Sequence, residues 1–485
     1  DLEGRQNVVP LGVKMLESLQ HRGHFGAGMA YIREGAIQVL KGEGNIREVL
    51  SEERLKHAGA KSSAVILQTR YPTNGSTDKR LLHPLSYEHK KIRRRFALAF
   101  NGNIPDYSDQ ESYLEAHDNP PQMKGDTEIM GRLLQTAMEE KNSSQMRKIL
   151  PEALGGLDGA FNIVLLQGDG TISAVRDPHG FHSFSYGQQG SVVAFSSEDV
   201  AIRDVLPHAR TQNIKEGSLL QARLGIKDLK PIEIWTPSTS VCFFRYIYFN
   251  DHRSRTDRTS VANARYEAGK ILATMDMDRP KDDIAVPVPE SAKIATNGYV
   301  DARGIRRVDA IVRNPDVGRT FIHDEEGRKA KAQLKYMIEP NLVKDKCIIL
   351  LDDSLVRGVT TMELAERLRS AGATKIHLRL ASPPIMAPCF YGMDFPTVKE
   401  LLARKYSKEH ALTTGDILPD DALAAMATDL KVDSIKYLPV SALPLVVGKD
   451  EEHICRACVT GQYPTINGQK LYEIENKNHQ ATSSL

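Results

Sequence analysis

Cysteine is scarce: five occur in 485 residues, beside a single tryptophan. Five thiols cannot staple a chain of this length, so a disulfide-built scaffold is excluded and a reducing, cytoplasmic compartment is expected. Neither sign of charge dominates, since 64 Lys and Arg face 62 Asp and Glu for a net charge of +2. Such a balance predicts neither a nucleic-acid nor a membrane partner, and any phosphate binding has to come from local sites. No apolar run is long enough for a membrane span. The opening Asp1-Leu-Glu-Gly-Arg5 lacks the basic and apolar regions of a secretory signal. Internal repeats and low-complexity stretches are missing as well. What the chain does have is length, too much for one compact core, which predicts two or three domains.

Two rhythms divide it. Up to Trp235 the sequence reads as short strands separated by turns, among them Ala64–Gln68, Phe96–Phe100, Phe161–Leu166, Ile172–Val175 and Val192–Ser196. Helical periodicity appears near Val9–Leu19 and over Asp126–Glu140. Trp235-Thr-Pro-Ser-Thr-Ser240 has the composition of a linker. Beyond it helices and strands alternate. Helices are expected at Val261–Met275, near Ser291–Asp301 and at Thr361–Ser370. Strands are expected at Ile284–Val288, Val308–Val312, Cys347–Leu351 and Lys375–Ala381. That alternation predicts a parallel sheet covered on both faces, with its site beyond the carboxyl ends of the strands. From about Asn476 the chain reads as a loose polar tail.

One segment concentrates chemistry at such a strand end. Cys347-Ile-Ile-Leu-Leu-Asp-Asp-Ser-Leu-Val-Arg-Gly-Val-Thr-Thr361 runs from a buried strand through two carboxylates into a loop of small residues that opens a helix. Asp352 and Asp353 can accept hydrogen bonds from two neighbouring sugar hydroxyls. Ser354 to Thr361, through Arg357, Gly358 and Thr360, offers backbone N–H groups, hydroxyls and a helix N-terminus to a phosphate. A plain helix cap would need one such residue. The segment resembles the 5-phosphoribosyl-1-pyrophosphate (PRPP) loop of type I phosphoribosyltransferases.

Further motifs occur in a fixed order: Leu19-Gln-His-Arg-Gly-His-Phe-Gly-Ala-Gly28, Thr69-Arg-Tyr-Pro-Thr-Asn-Gly75, Ala99-Phe-Asn-Gly-Asn103, Gly125-Asp-Thr-Glu128, Arg176-Asp-Pro-His-Gly180 and Ser196-Ser-Glu198. Together with the PRPP loop they resemble the glutamine PRPP amidotransferase family, over nearly the whole chain. The resemblance implies a mixed α/β and α+β protein. Residues 1–235 would be an N-terminal-nucleophile glutaminase-like αββα sandwich. Residues 241–448 would be a phosphoribosyltransferase with a parallel sheet, and 449–485 a C-terminal tail. It implies that ammonia from glutamine attacks C1 of PRPP, giving 5-phosphoribosylamine, glutamate and pyrophosphate at the start of purine synthesis. Arg70 would hold the glutamine α-carboxylate and Asp126 its α-amino group. Asn101 and the Gly102 N–H would form the oxyanion hole. Glu290 and Ser291, in Pro287-Val-Pro-Glu-Ser291, would form the pyrophosphate-side turn. Arg319, within Asn314–Ile322, and Lys335 would belong to the loop that closes over PRPP. Mg²⁺ near Asp352 and Asp353 and a homotetrameric assembly are implied too.

Departures accompany the resemblance. The family's nucleophile is a cysteine at the mature N-terminus, heading a short apolar strand; here stand Asp1-Leu-Glu-Gly-Arg-Gln, with no cysteine before Cys242. A carboxylate does not replace a thiolate in attacking an amide. Either a short segment carrying the cysteine lies outside this sequence, or glutaminase chemistry is lost and the shell kept. Arg70, Asn101 and Asp126 favour the first. Pro315-Asp316 replaces a usual Arg-Tyr, Arg245 stands in a usual Phe-Glu-Tyr, Asn250–Ser254 replaces Ala-Arg-Pro-Asp-Ser, and His182-Ser183 replaces Arg-Pro. These leave open a diverged PRPP transferase using free ammonia or another nucleophile, or a silent paralogue that binds PRPP or nucleotide.

Cys455-Arg-Ala-Cys458 alone suits a redox pair, a zinc half-site or two core thiols. With Cys242 and Cys389 it occupies the places where one branch of the family holds a [4Fe–4S] cluster, which the resemblance favours over zinc. Cys347 is expected to be a core thiol.

Overall fold

The computed structural model describes residues 1–71, 78–226, 229–277, 283–314, 336–395, 397–407 and 418–483. The first half is four layers. Helix α1 (Val9–Glu17) covers a three-stranded antiparallel sheet of β1 (Gly26–Arg33), β2 (Ala36–Glu43) and β3 (Val65–Arg70), ordered β2-β1-β3. Against its other face lies a six-stranded antiparallel meander: β4 (Leu85–Tyr87), β5 (Phe96–Asn103), β6 (Ala160–Gln167), β7 (Ile172–Arg176), β8 (Ser218–Ala222) and β9 (Ile232–Glu233). Helices α2 (Asp126–Glu140) and α3 (Met146–Leu154) close the stack. The sequence of β5 explains the layering. Phe96, Leu98 and Phe100 pack against the helices, while Ala97 and Ala99 let the small sheet approach closely. This is the expected αββα sandwich.

Trp235 ends that half with its ring edge-on to Phe161. The stretch after it is pinned, since Ser238 and Ser240 donate their backbone N–H to Pro178 and His179 carbonyls at 2.8 and 2.7 Å. A short strand β10 (Val241–Cys242) and helix α4 (Val261–Thr274) lead into a parallel sheet. Its strands are β11 (Ile284–Pro287), β12 (Arg306–Arg307), β13 (Cys347–Asp352), β14 (Lys375–Leu380) and β15 (Ser434–Tyr437), in the order β12-β11-β13-β14-β15. Alternate residues serve two cores. Ile348 and Leu350 face one side, Ile349 and Leu351 the other. Helix α5 (Lys293–Arg303) lies against α4, and α6 (Val359–Ser370) follows β13. The strand order reverses between β11 and β13, so a crevice opens at their carboxyl ends.

Two expectations need correction. Val308–Val312 does not form a strand of this sheet. Arg306–Arg307 does, and Ile311–Arg313 pairs antiparallel with Tyr336–Ile338 instead. The tail after Asn476 is not loose. It continues α7 (Ile466–Ser483), in which Tyr472 is buried, Glu475 accepts from the Val398 N–H and Asn476 accepts from Arg404. Tertiary partners far back in sequence make that polar stretch helical.

Candidate active site

The crevice between β11 and β13 gathers the expected sugar-phosphate residues. Asp353, 6 % exposed, takes the Ser291 hydroxyl on Oδ2 and the Ser354 hydroxyl on Oδ1 at 2.6 Å. Its backbone N–H donates to Asp352 Oδ1 at 2.8 Å. Each Asp353 oxygen keeps a lone pair after these bonds, so the carboxylate is oriented without being saturated. Burial raises its pKa, opposed by the two serines and Arg265. The loop turns at Gly358, whose φ of +80° favours glycine, and α6 starts at the next residue. Thr360 and Thr361 therefore sit on the first turn of a twelve-residue helix, where N–H groups have no carbonyl partner. Arg357 is exposed at the rim and paired with Glu400 at 2.8 Å. Glu290 is exposed and paired with Lys293 at 2.7 Å. Arg319, Lys335 and the Pro315-Asp316 departure lie outside the described residues.

The second constellation stands on the sandwich. Asn101 and Gly102 lie near the end of β5, and a side chain at Gly102 would collide with the Ala160 carbonyl at 1.8 Å, so the position admits only glycine. Asn101 Oδ1 accepts from Arg22 Nη2 at 3.0 Å, which fixes its amide. Arg70 ends β3 and donates to the Leu81 carbonyl. Asp126 opens α2, held by the Thr127 N–H at 2.8 Å. Burial raises Asp126 and lowers Arg70, and each partly restores the other's charge.

Both constellations line one cavity of about 1480 Å³, which contains Arg70, Asn101, Gly102 and Asp126 as well as Glu290, Ser291, Asp352, Asp353, Ser354 and Thr361. None of the five cysteines lines it. Nor does Asp1 stand in a nucleophile's place. Its amino group donates to the Ser63 carbonyl at 2.6 Å, just before β3 starts, whereas Arg70 ends that strand. Seven residues of extended chain put it roughly 20 Å away.

Residues with no motif of their own complete the wall. Arg265 on α4 donates to the carbonyls of Tyr246, Tyr248 and Asn250 at 2.7–3.0 Å, holding that segment against the cavity. Glu198, fully buried, joins the halves. Oε1 takes His21 at 2.8 Å and Arg22 at 2.7 Å; Oε2 takes the Asp251 N–H at 2.7 Å and the Ser254 hydroxyl at 2.8 Å. Only Glu198's place in Ser196-Ser-Glu198 hinted at such a role.

Four cysteines meet behind this wall. Cys242 and Cys455 are register partners in the parallel pair of β10 and β16 (Ile454–Cys455). The Cys458 carbonyl accepts from Met386 and Ala387 at 2.8 and 3.0 Å, which brings Cys389 alongside. Cys389 Sγ accepts from the Tyr391 N–H at 3.4 Å, and Cys242 accepts from the N–H of Phe244 and Arg245. Burial, then Cys242, pushes Cys389 up to about 12; Cys455 and Cys458 are pushed well above the ordinary thiol range. Cys347 stands apart, half-buried at the start of β13. Among the described residues, no three of the sulfurs lie within 4.8 Å of one another.

Comparison with known proteins places this geometry. A glutamine amidotransferase domain family matches residues 84–204. The amidophosphoribosyltransferase of Methanocaldococcus jannaschii is 31% identical over 96% of this chain and 97% of its own. That of Pyrococcus horikoshii is 32% identical over 93% and 92%. The solved glutamine PRPP amidotransferase of Bacillus subtilis, in complex with ADP and GMP, superimposes with a TM-score of 0.82 at 29% identity, covering 96% of each chain. Similarity of this extent, on a chain that brings both constellations into one cavity, establishes that it belongs to the amidophosphoribosyltransferase family.

Proposed function

We infer that the protein transfers ammonia derived from glutamine to C1 of PRPP, releasing pyrophosphate and forming 5-phosphoribosylamine, the first step of purine synthesis. One observation carries this reading: the ribose-phosphate crevice and the amide pocket open into a single cavity. Ammonia freed beside Asn101 would reach C1 without leaving the protein. In this reading Asp352 and Asp353 hold the ribose hydroxyls, and the loop from Ser354 to Thr361 holds the 5-phosphate. Asn101 and Gly102 stabilise the oxyanion, with Arg70 and Asp126 on the glutamine backbone. Mg²⁺ bound near Asp352 and Asp353 would supply charge neutralisation to departing pyrophosphate.

Cys242, Cys389, Cys455 and Cys458 would hold a [4Fe–4S] cluster. Buried thiols pushed up so far need a metal to become thiolates. Four thiols suit either tetrahedral zinc or the cluster, and the resemblance to the iron–sulfur branch of the family favours the cluster. Its role is to tie the C-terminal segment to β10. A cytoplasmic homotetramer fits this reading; no helix among the described residues is long and apolar enough to cross a membrane.

Pyrophosphate release from PRPP, measured with ammonia and with glutamine, tests the assignment. A polypeptide of residues 1–485 alone brings no thiol to the amide pocket and should react with ammonia, while turnover with glutamine needs a nucleophile from outside these residues. Turnover with neither, in protein that binds PRPP, would defeat the transferase reading.

A further inference from the structure

Arg245 carries a charge that nothing conventional balances. It is 2 % exposed, and neither Nε nor Nη1 has a hydrogen-bond partner. Its guanidinium lies 4.9 Å from the centre of the Phe249 ring, and Arg22 lies 4.7 Å from the same ring, so two cations share one aromatic side chain. Glu198 is the nearby carboxylate, but its oxygens already hold His21, Arg22, Asp251 and Ser254. His182, also buried and bonded through Nε2 to the Tyr391 carbonyl, is neutral or cationic and cannot supply the missing anion. A buried cation without a partner costs several kcal/mol.

The backbone N–H of Arg245 itself donates to the Cys242 sulfur, which seats Arg245 beside the clustered thiols. As neutral thiols they offer little. As ligands of an iron–sulfur cluster they carry negative charge and accept hydrogen bonds. We propose that Arg245 is the counter-ion of the cysteine-bound cluster, its unpaired N–H groups directed at cluster-ligand sulfur, a positioning role that rests on the cluster assignment above. A cation so placed favours the more negative oxidation level, raising the potential of the one-electron couple, and it holds the cluster against loss.

The test uses the full-length holoprotein and its Arg245→Met, Arg245→Gln and Arg245→Lys variants. Loss of absorbance near 400 nm is followed under a ferrous chelator, and the midpoint potential is taken by dithionite titration, one electron per cluster. The expected result is that Met and Gln lose the cluster roughly tenfold faster and shift the midpoint to more negative values, while Lys stays near wild type. Should the Met variant not accumulate, Gln against Lys decides alone. Full iron with unchanged loss rate and potential in the Gln variant would overturn the proposal, and so would a Lys variant as impaired as Gln. Wild-type protein without iron would instead remove the cluster itself, a different and recognisable failure.

Discussion

Asp353 serves two masters with one carboxylate: its oxygens hold Ser291 from the β11 side and Ser354 from the β13 side, and both must still accept from a ligand. Asp353→Asn turns one acceptor into a donor facing a hydroxyl or a sugar. Ammonia-dependent pyrophosphate release should fall roughly a hundredfold or more, as expected for losing a charge-assisted bond; a tenfold change or less would exclude Asp353 from ribose binding. His83 gives a pH prediction. Burial, then Arg70 and Lys41, pushes it from 6.5 down to about 3. The unfolded chain takes up this proton below pH 6.5 and the folded chain does not, so stability falls as pH drops from 6.5 towards 3. His83→Gln should flatten that limb by one proton, about 1.4 kcal/mol per pH unit, in urea melts. At this scale the PRPP loop was legible because its parts are contiguous. The pairing of Glu198 with His21 and Arg22 was not, because it joins segments 177 and 176 positions apart, and Arg245 takes its meaning from its surroundings in the fold.

Among the elements, α4 and α5 make the tightest pair, and the reason is two glycines. A side chain at Gly269 would lie 1.8 Å from the Ala295 carbonyl, and one at Gly298 would lie 1.9 Å from the Tyr266 carbonyl. The helices touch backbone to backbone. Helix α5 starts just after the turn that carries Glu290 and Ser291, so its seat sets where that turn stands. Gly298→Ala should lower stability by about 1–3 kcal/mol through overpacking, and should also raise the KM for PRPP because Ser291 moves off Asp353. Stability loss with an unchanged KM would show the turn to be independent of the helix. Strands and long helices were readable from alternation and periodicity, as in β5 and α2. The failures have a common cause. Ile311–Arg313 and the end of α7 take their form from Tyr336–Ile338 and from Val398 and Arg404, contacts outside any window of sequence.

Over the whole molecule the question is what makes two halves act on one cavity. Many polar links cross between them, among them Asn103 to the Phe390 carbonyl at 2.9 Å, His182 to the Tyr391 carbonyl at 2.6 Å, the Arg255 N–H to Asp199 at 2.7 Å, the Asn467 N–H to Asp158 at 2.9 Å, and the Glu198 hub. Glu198 touches machinery on both sides. Through Arg22 it fixes Asn101; through Asp251 and Ser254 it fixes the segment that Arg265 presses against the cavity. Burial alone would raise its pKa, but hydrogen bonds and charge from His21 and Arg22 hold it far below the usual carboxylate range. Its contribution to stability is therefore full above its unfolded value of about 4.5 and declines only below it. Glu198→Gln should remove that acid limb and cost about 3–5 kcal/mol at neutral pH, because Arg22 is left buried and unpaired. More telling is the double effect on function. Although Glu198 binds neither substrate, its loss should weaken glutamine binding, read by calorimetry, and raise the KM for PRPP in the ammonia reaction, read by pyrophosphate release. If only one of the two moved, Glu198 would belong to a single site and the halves would be joined elsewhere.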